Sequence, residues 1–112
     1  MAMVVYSVAA VLPSAQLARE YARWLVEGHV QAVMGGGAVS ARVMAWDAEQ
    51  GSADRGAGGV WKVEAVYEFP DRTALERYIR EFAPALRAEG LAKWGPVAGI
   101  RFERRVGERL EM

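Results

Sequence analysis

The 112-residue sequence predicts one α+β domain of split βαββαβ design, a four-stranded antiparallel sheet with both helices on one face. Three observations predict it. Four runs rich in valine and aromatic residues read as strands, two apolar stripes at helical spacing read as helices, and the connections leave room for little else.

Residues 3–12 are apolar at both parities, with Val4, Tyr6 and Val8 on one side and Met3, Val5 and Ala9 on the other. Such a strand is covered on both faces. It stops at Pro13, short of the roughly 20 apolar residues that span a bilayer, and no positive charge precedes it as in a signal peptide. Ser14 then stands as an N-cap, and Leu17, Tyr21, Trp24, Leu25 and Gly28 share one stripe while Arg19, Glu20, Arg23 and Glu27 keep to the other side. These residues predict an amphipathic helix of about four turns.

Residues 38–46 alternate Val39, Ala41, Val43 and Ala45 against Ser40, Arg42, Met44 and Trp46, which predicts a strand. The segment 47–59 is small, polar and glycine-rich and predicts a flexible hairpin loop within a single domain, 1–112. Its Asp47, Glu49 and Asp54 lack the glycine and terminal glutamate of a calcium loop. Residues 60–69 form the clearest strand, with Trp61, Val63, Ala65, Tyr67 and Phe69 facing one way and Lys62, Glu64 and Glu68 the other. A second helix carries Leu75, Tyr78, Ile79 and Phe82, introduced by a Thr73/Glu76 capping box or by Asp71 as cap. Pro84 begins a further helical segment with Leu86, Leu91 and Trp94, and residues 97–106 close the sheet.

The composition narrows the function. Fourteen basic and fourteen acidic residues cancel, so no global field gathers nucleic acid or an anionic membrane. Without cysteine there is no disulfide framework, thiolate zinc site or thiol nucleophile, which fits a cytoplasmic location. One histidine cannot assemble a multi-ligand metal site, and no serine stands in a G-x-S-x-G elbow. No metal or cofactor is therefore expected. RNA-recognition modules share this strand order, but GVWKVEAVYEF lacks their aromatic pattern and places Glu64 and Glu68 where phosphates would lie.

Candidate sites fall in three places. His29, four residues after Leu25 and eight after Tyr21, lies at the border of the first helical stripe. It is read foremost as a cap on the helix end, with acid–base work or haem ligation as the sharper uses. Gly35, Gly36 and Gly37 follow a helix and open a strand, the reverse of a phosphate-binding loop, and are read as a helix stop. The sheet face away from the helices carries Arg42, Met44, Trp46, Lys62, Glu64, Glu68, Arg101, Glu103 and Arg105 around the small apolar residues of the first strand. A second copy packed there would resolve that mixture, and Arg42, Trp46, Lys62, Glu64 and Arg101 are the expected ligand-binding residues of the cavity between facing sheets. Glu64, Glu68 and Glu103 are expected to pair with neighbouring cations rather than to be raised-pKa carboxylates.

VVYSV at the start, W-x(4)-H-V-x(2)-V-M-x(2)-G in the first helix, and PDRTALERYIREFAPALRAEGLAKWG followed by FERR resemble the domain-of-unknown-function family numbered 4286. The resemblance implies a ferredoxin-like subunit that pairs into a dimeric α+β barrel. Similar sequences carry a proline two residues after the histidine, where this chain has Gln31. Related barrels include cofactor-free oxygenases, haem-degrading enzymes and small isomerases. The sequence thus leads to a homodimer that binds a small molecule or serves as an interaction domain. A cofactor-independent monooxygenase or isomerase using His29 is the alternative, and a purely structural dimer the third reading.

Overall fold

The computed structural model describes residues 3–47 and 61–110. Its strands are β1 (Val4–Leu12), β2 (Ser40–Trp46), β3 (Trp61–Phe69) and β4 (Arg101–Glu108), in the antiparallel order β2-β3-β1-β4. Helices α1 (Ala15–Trp24), α2 (Val30–Gly35), α3 (Arg72–Glu81) and α4 (Ala83–Trp94) complete the βαββαβ order. The segment expected as a flexible hairpin loop, and as a weak calcium-loop candidate, lies outside the described residues apart from Asp47.

Strand alternation assigns the two faces. The register Tyr6↔Tyr67, Ala10↔Val63 and Val4↔Phe69 puts these side chains together beneath the helices. Tyr21 and Leu25 from the first helical run, Leu75 and Tyr78 from α3, and Trp94 from α4 cover them as one buried cluster. Two side-chain caps fix the helix starts: Ser14 Oγ accepts from the Leu17 N–H at 3.1 Å and Asp71 Oδ1 from the Ala74 N–H at 2.8 Å. Asp71, rather than the Thr73/Glu76 box, therefore starts α3.

The first helical run departs from expectation in an instructive way. It is longer than four turns and runs on to Gly35. A π-helical turn, Leu25–His29, joins α1 to α2, with the Val30 N–H bonded to the Leu25 carbonyl and Gly28 off helical dihedrals at φ 178°, ψ −41°. Tyr21, Leu25 and Val33 recur at multiples of four residues, a spacing that drifts round a 3.6-residue helix; the wider π turn absorbs the drift, and Val33 is buried against the same core. Gln31 Nε2 donates to the Val26 carbonyl at 2.9 Å, across this turn. His29 consequently sits inside a continuous helical run and makes no side-chain cap, which corrects its reading as a helix-end cap.

The helix stop is the glycine run. Gly37 holds φ +122°, which disfavours any residue with a Cβ. Gly36 allows a close approach: a Cβ there would lie 2.7 Å from Tyr78 Cδ1. Two strand boundaries also move. β2 begins at Ser40 rather than 38, and residues 97–100 turn instead of pairing, with Gly99 at φ +88° and the Val97 N–H bonded to the Trp94 carbonyl. β4 extends instead to Glu108, opposite Val4.

Candidate functional site

The sheet separates two depressions. On the open face, Trp46, Lys62, Glu64 and Arg101 come together with Glu103 and Arg105 around a groove of about 400 Å³. Arg42, opposite Val66, lies on the same face outside it. The centre of this face is β1, where Ser7 and Ala9 are short enough for side chains of β3 and β4 to meet across them. Arg105 reaches Glu64 at 3.0 Å and Lys62 reaches Glu103 at 3.4 Å.

Glu64, only 6% exposed, accepts from Ser7 Oγ, Trp46 Nε1 at 3.1 Å and Arg105. Burial alone would raise its pKa, but those three hydrogen bonds and the Arg105 charge together hold it below the ordinary carboxylate value. Glu68 is similarly met by Ser40 Oγ at 2.8 Å and Arg109 at 3.1 Å. The expected cation pairing of Glu64, Glu68 and Glu103 is found, although the cation on Glu68 is Arg109. Lys62, Glu64, Arg101, Glu103 and Arg105 of the groove are thus paired with one another.

The other depression is a cavity of about 250 Å³ between the sheet and the helices, near the small end of ligand sites, which run to about 300–1,000 Å³. Aromatic rings from every layer line it: Tyr6 and Tyr67 from the sheet, Tyr21 and Trp24 from α1, Tyr78 from α3 and Trp94 from α4. Tyr21 and Trp94 meet edge to face with centroids 5.3 Å apart, Tyr6 and Tyr78 are tilted at 6.0 Å, and Tyr6 and Tyr67 are stacked at 6.3 Å. His29 belongs to this wall, stacked on Trp24 at 4.3 Å. It therefore does not share a site with the open-face residues.

Polar groups in this wall are under-satisfied. His29 Nδ1 and Trp94 Nε1 are both buried with no hydrogen-bond partner among the described residues, and a buried unpaired group costs about 1–3 kcal/mol. Burial lowers the His29 pKa, against a smaller opposing effect of Glu89. The imidazole is therefore neutral at pH 7. Burial also pushes Tyr78 up to about 12, and Tyr21 to about 12 against the nearby Arg104 charge. These phenols stay protonated and can donate.

The His29 shift has a measurable consequence. Its ring titration, followed by NMR, should have a midpoint below the ordinary 6.5. Because the unfolded chain then binds the extra proton, stability is fully present above 6.5 and falls as pH drops through the folded midpoint. His29→Gln should remove that portion of the pH dependence; a midpoint at or above 6.5 would contradict a desolvated imidazole.

Sequence reasoning placed His29 at a stripe border but missed its partners. Arg87 and Arg104 also line the cavity, and Arg87 donates to the Tyr6 hydroxyl at 3.2 Å. The available signal was parity: Arg104 shares β4's helix side with Phe102, where a charge is out of place.

A family model described as a domain of unknown function, DUF4286, matches residues 3–101. No curated protein matches the sequence significantly. Among solved structures, the fold is similar to a dimeric ferredoxin-like protein from an uncultured marine organism, with TM-score 0.62 and 14% identity over 100% of this chain and 99% of that one. It is also similar to a monooxygenase from the gene ActVA-Orf6 of Streptomyces coelicolor in complex with the ligand Nanaomycin D, with TM-score 0.66 and 12% identity over 99% of this chain and 90% of that one. A third is SnoaB, a cofactor-independent oxygenase from Streptomyces nogalater, with TM-score 0.55 and 12% identity over 100% and 97%. At these identities the likeness establishes a ferredoxin-like fold.

Proposed function

This chain belongs to the DUF4286 family, and from the geometry of its helix-side cavity we propose that it is a cytoplasmic small-molecule-binding protein whose ligand is a planar aromatic compound. The observation that carries this reading is the contrast between the two depressions. The open-face groove is larger, but its Lys62, Arg101, Arg105, Glu64 and Glu103 are paired with one another; the helix-side cavity is smaller, lined by aromatic faces, and leaves His29 Nδ1 and Trp94 Nε1 with no partner among the described residues. A ring slotted among aromatics gains offset or edge contacts, and an oxygen on it can recover a missing hydrogen bond.

Titration with 2-naphthol in ¹H–¹⁵N NMR tests the site. The indole N–H signals of Trp24 and Trp94 should shift saturably while that of Trp46, on the other face, stays still. Trp94→Phe should weaken binding by about tenfold, the worth of one hydrogen bond. A shift of Trp46 with Trp24 and Trp94 unmoved would transfer the ligand to the groove of Trp46, Lys62, Glu64 and Arg101 and overturn the reading.

Self-association belongs to the same proposal. Structural neighbours are described as dimeric, and the open face offers a half-exposed Trp46 beside complementary charges. Sedimentation at micromolar concentration is expected to give a homodimer; a pure monomer would remove that part.

A second reading has one observation in its favour, a desolvated neutral imidazole in the cavity wall at a π turn. There His29 would act as a base toward a bound phenol, as in an oxygenase or isomerase. Any oxidation of 2-naphthol by dioxygen on the protein, followed by loss of the naphthol absorption, should then fall as pH drops through the lowered His29 midpoint and be lost in His29→Gln. Turnover undiminished in His29→Gln would exclude the role.

A further inference from the structure

We infer that the ligand of the helix-side cavity is an aromatic acid, its ring among the aromatic walls and its carboxylate held between Arg87 of α4 and Arg104 of β4. The inference rests on the aromatic-cavity reading and adds the chemical class of the ligand.

The charge of the lining is one-sided. Among the described residues, two arginines line the cavity and no aspartate or glutamate does. Among the described residues neither Arg87 nor Arg104 has a carboxylate within 4.0 Å, whereas Lys62, Arg101 and Arg105 of the open-face groove each have one. Both arginines are exposed residues, so they stand where the cavity meets solvent.

Their placement is fixed from opposite layers. Arg87 is oriented by its 3.2 Å hydrogen bond to the Tyr6 hydroxyl. Arg104 lies on the helix side of β4, opposite Val8 of β1, because strand parity sets it there beside Phe102. Both line the same cavity, and the charge of each reaches its buried phenol Tyr78. Two forked donors on one cavity suit a planar carboxylate, which can accept paired N–H bonds from each. An opposing charge, that of Glu89, acts on His29.

Calorimetry with 2-naphthoate and its neutral methyl ester tests the inference on the full chain. The acid should bind about ten- to a hundredfold more tightly than the ester, the range expected for charge-assisted hydrogen bonds. Arg87→Met and Arg104→Met, which keep the aliphatic stems, should each erode that preference and leave the ester's affinity unchanged. Arg42→Met, on the far face, should do neither.

Equal affinities for acid and ester, or an undiminished preference in both arginine variants, would overturn the aromatic acid and leave the aromatic cavity standing. Failure of both probes to bind, with no shift of the Trp94 indole, would overturn both.

Discussion

Phe69→Ala is expected to lower the unfolding free energy by about 3–5 kcal/mol, the usual cost of removing a buried ring whose surroundings cannot collapse. Phe69 has 0% of its surface exposed. It ends β3 on the helix face opposite Val4, meets Tyr78 at 5.4 Å, and approaches the backbone at Gly37, where a Cβ would stand 3.9 Å from its ring. Sheet, α3 and helix stop all converge on it, so neither strand nor helix can move alone to fill the void. Urea unfolding measures the loss. Because Tyr78 is also a cavity wall, aromatic binding should weaken in any folded fraction. A cost under about 1 kcal/mol, typical of exposed substitutions, would mean that the core relaxes around the site.

Glu64→Leu should be the second most damaging change, at about 1–3 kcal/mol, because it strands the buried Ser7 hydroxyl, whose acceptor is removed. The Ser7 hydroxyl and the Trp46 indole N–H both lose Glu64, while Arg105, largely in solvent, loses little. Ser7→Ala combined with Glu64→Leu should recover part of the loss, since deleting both partners leaves fewer orphans.

The pH dependence has a definite sign. Glu64 is held below the ordinary 4.5 in the folded state, so the unfolded chain binds the proton first as pH falls. The carboxylate's contribution is fully present above 4.5 and is lost as pH drops through the folded value. The stability gap between wild type and Glu64→Gln should therefore narrow on acidification; a gap that widened would show that the carboxyl is raised by burial instead.

The strand and helix order was legible because side-chain period reports it directly. Tyr67 and Phe69 alternating with Glu64 and Glu68, and Leu75 with Tyr78 on a helical stripe, leave one economical arrangement. The open-face residues were legible for the same reason. Less legible was the π turn, since a one-residue change in helical repeat costs little locally and Gly28 is compatible with either path. That turn settles the position of His29.

By itself, the sequence determined the element order, the facing of each strand and the charge network of the open face, because all three follow from alternation along the chain. Only tertiary structure decided that the imidazole, the Trp94 indole, Arg87 and Arg104 border one cavity. They come from two helical elements, the π turn and α4, and from an edge strand, far apart in sequence. Their juxtaposition depends on how the helices lie across the sheet, a matter of packed volume that no local periodicity encodes.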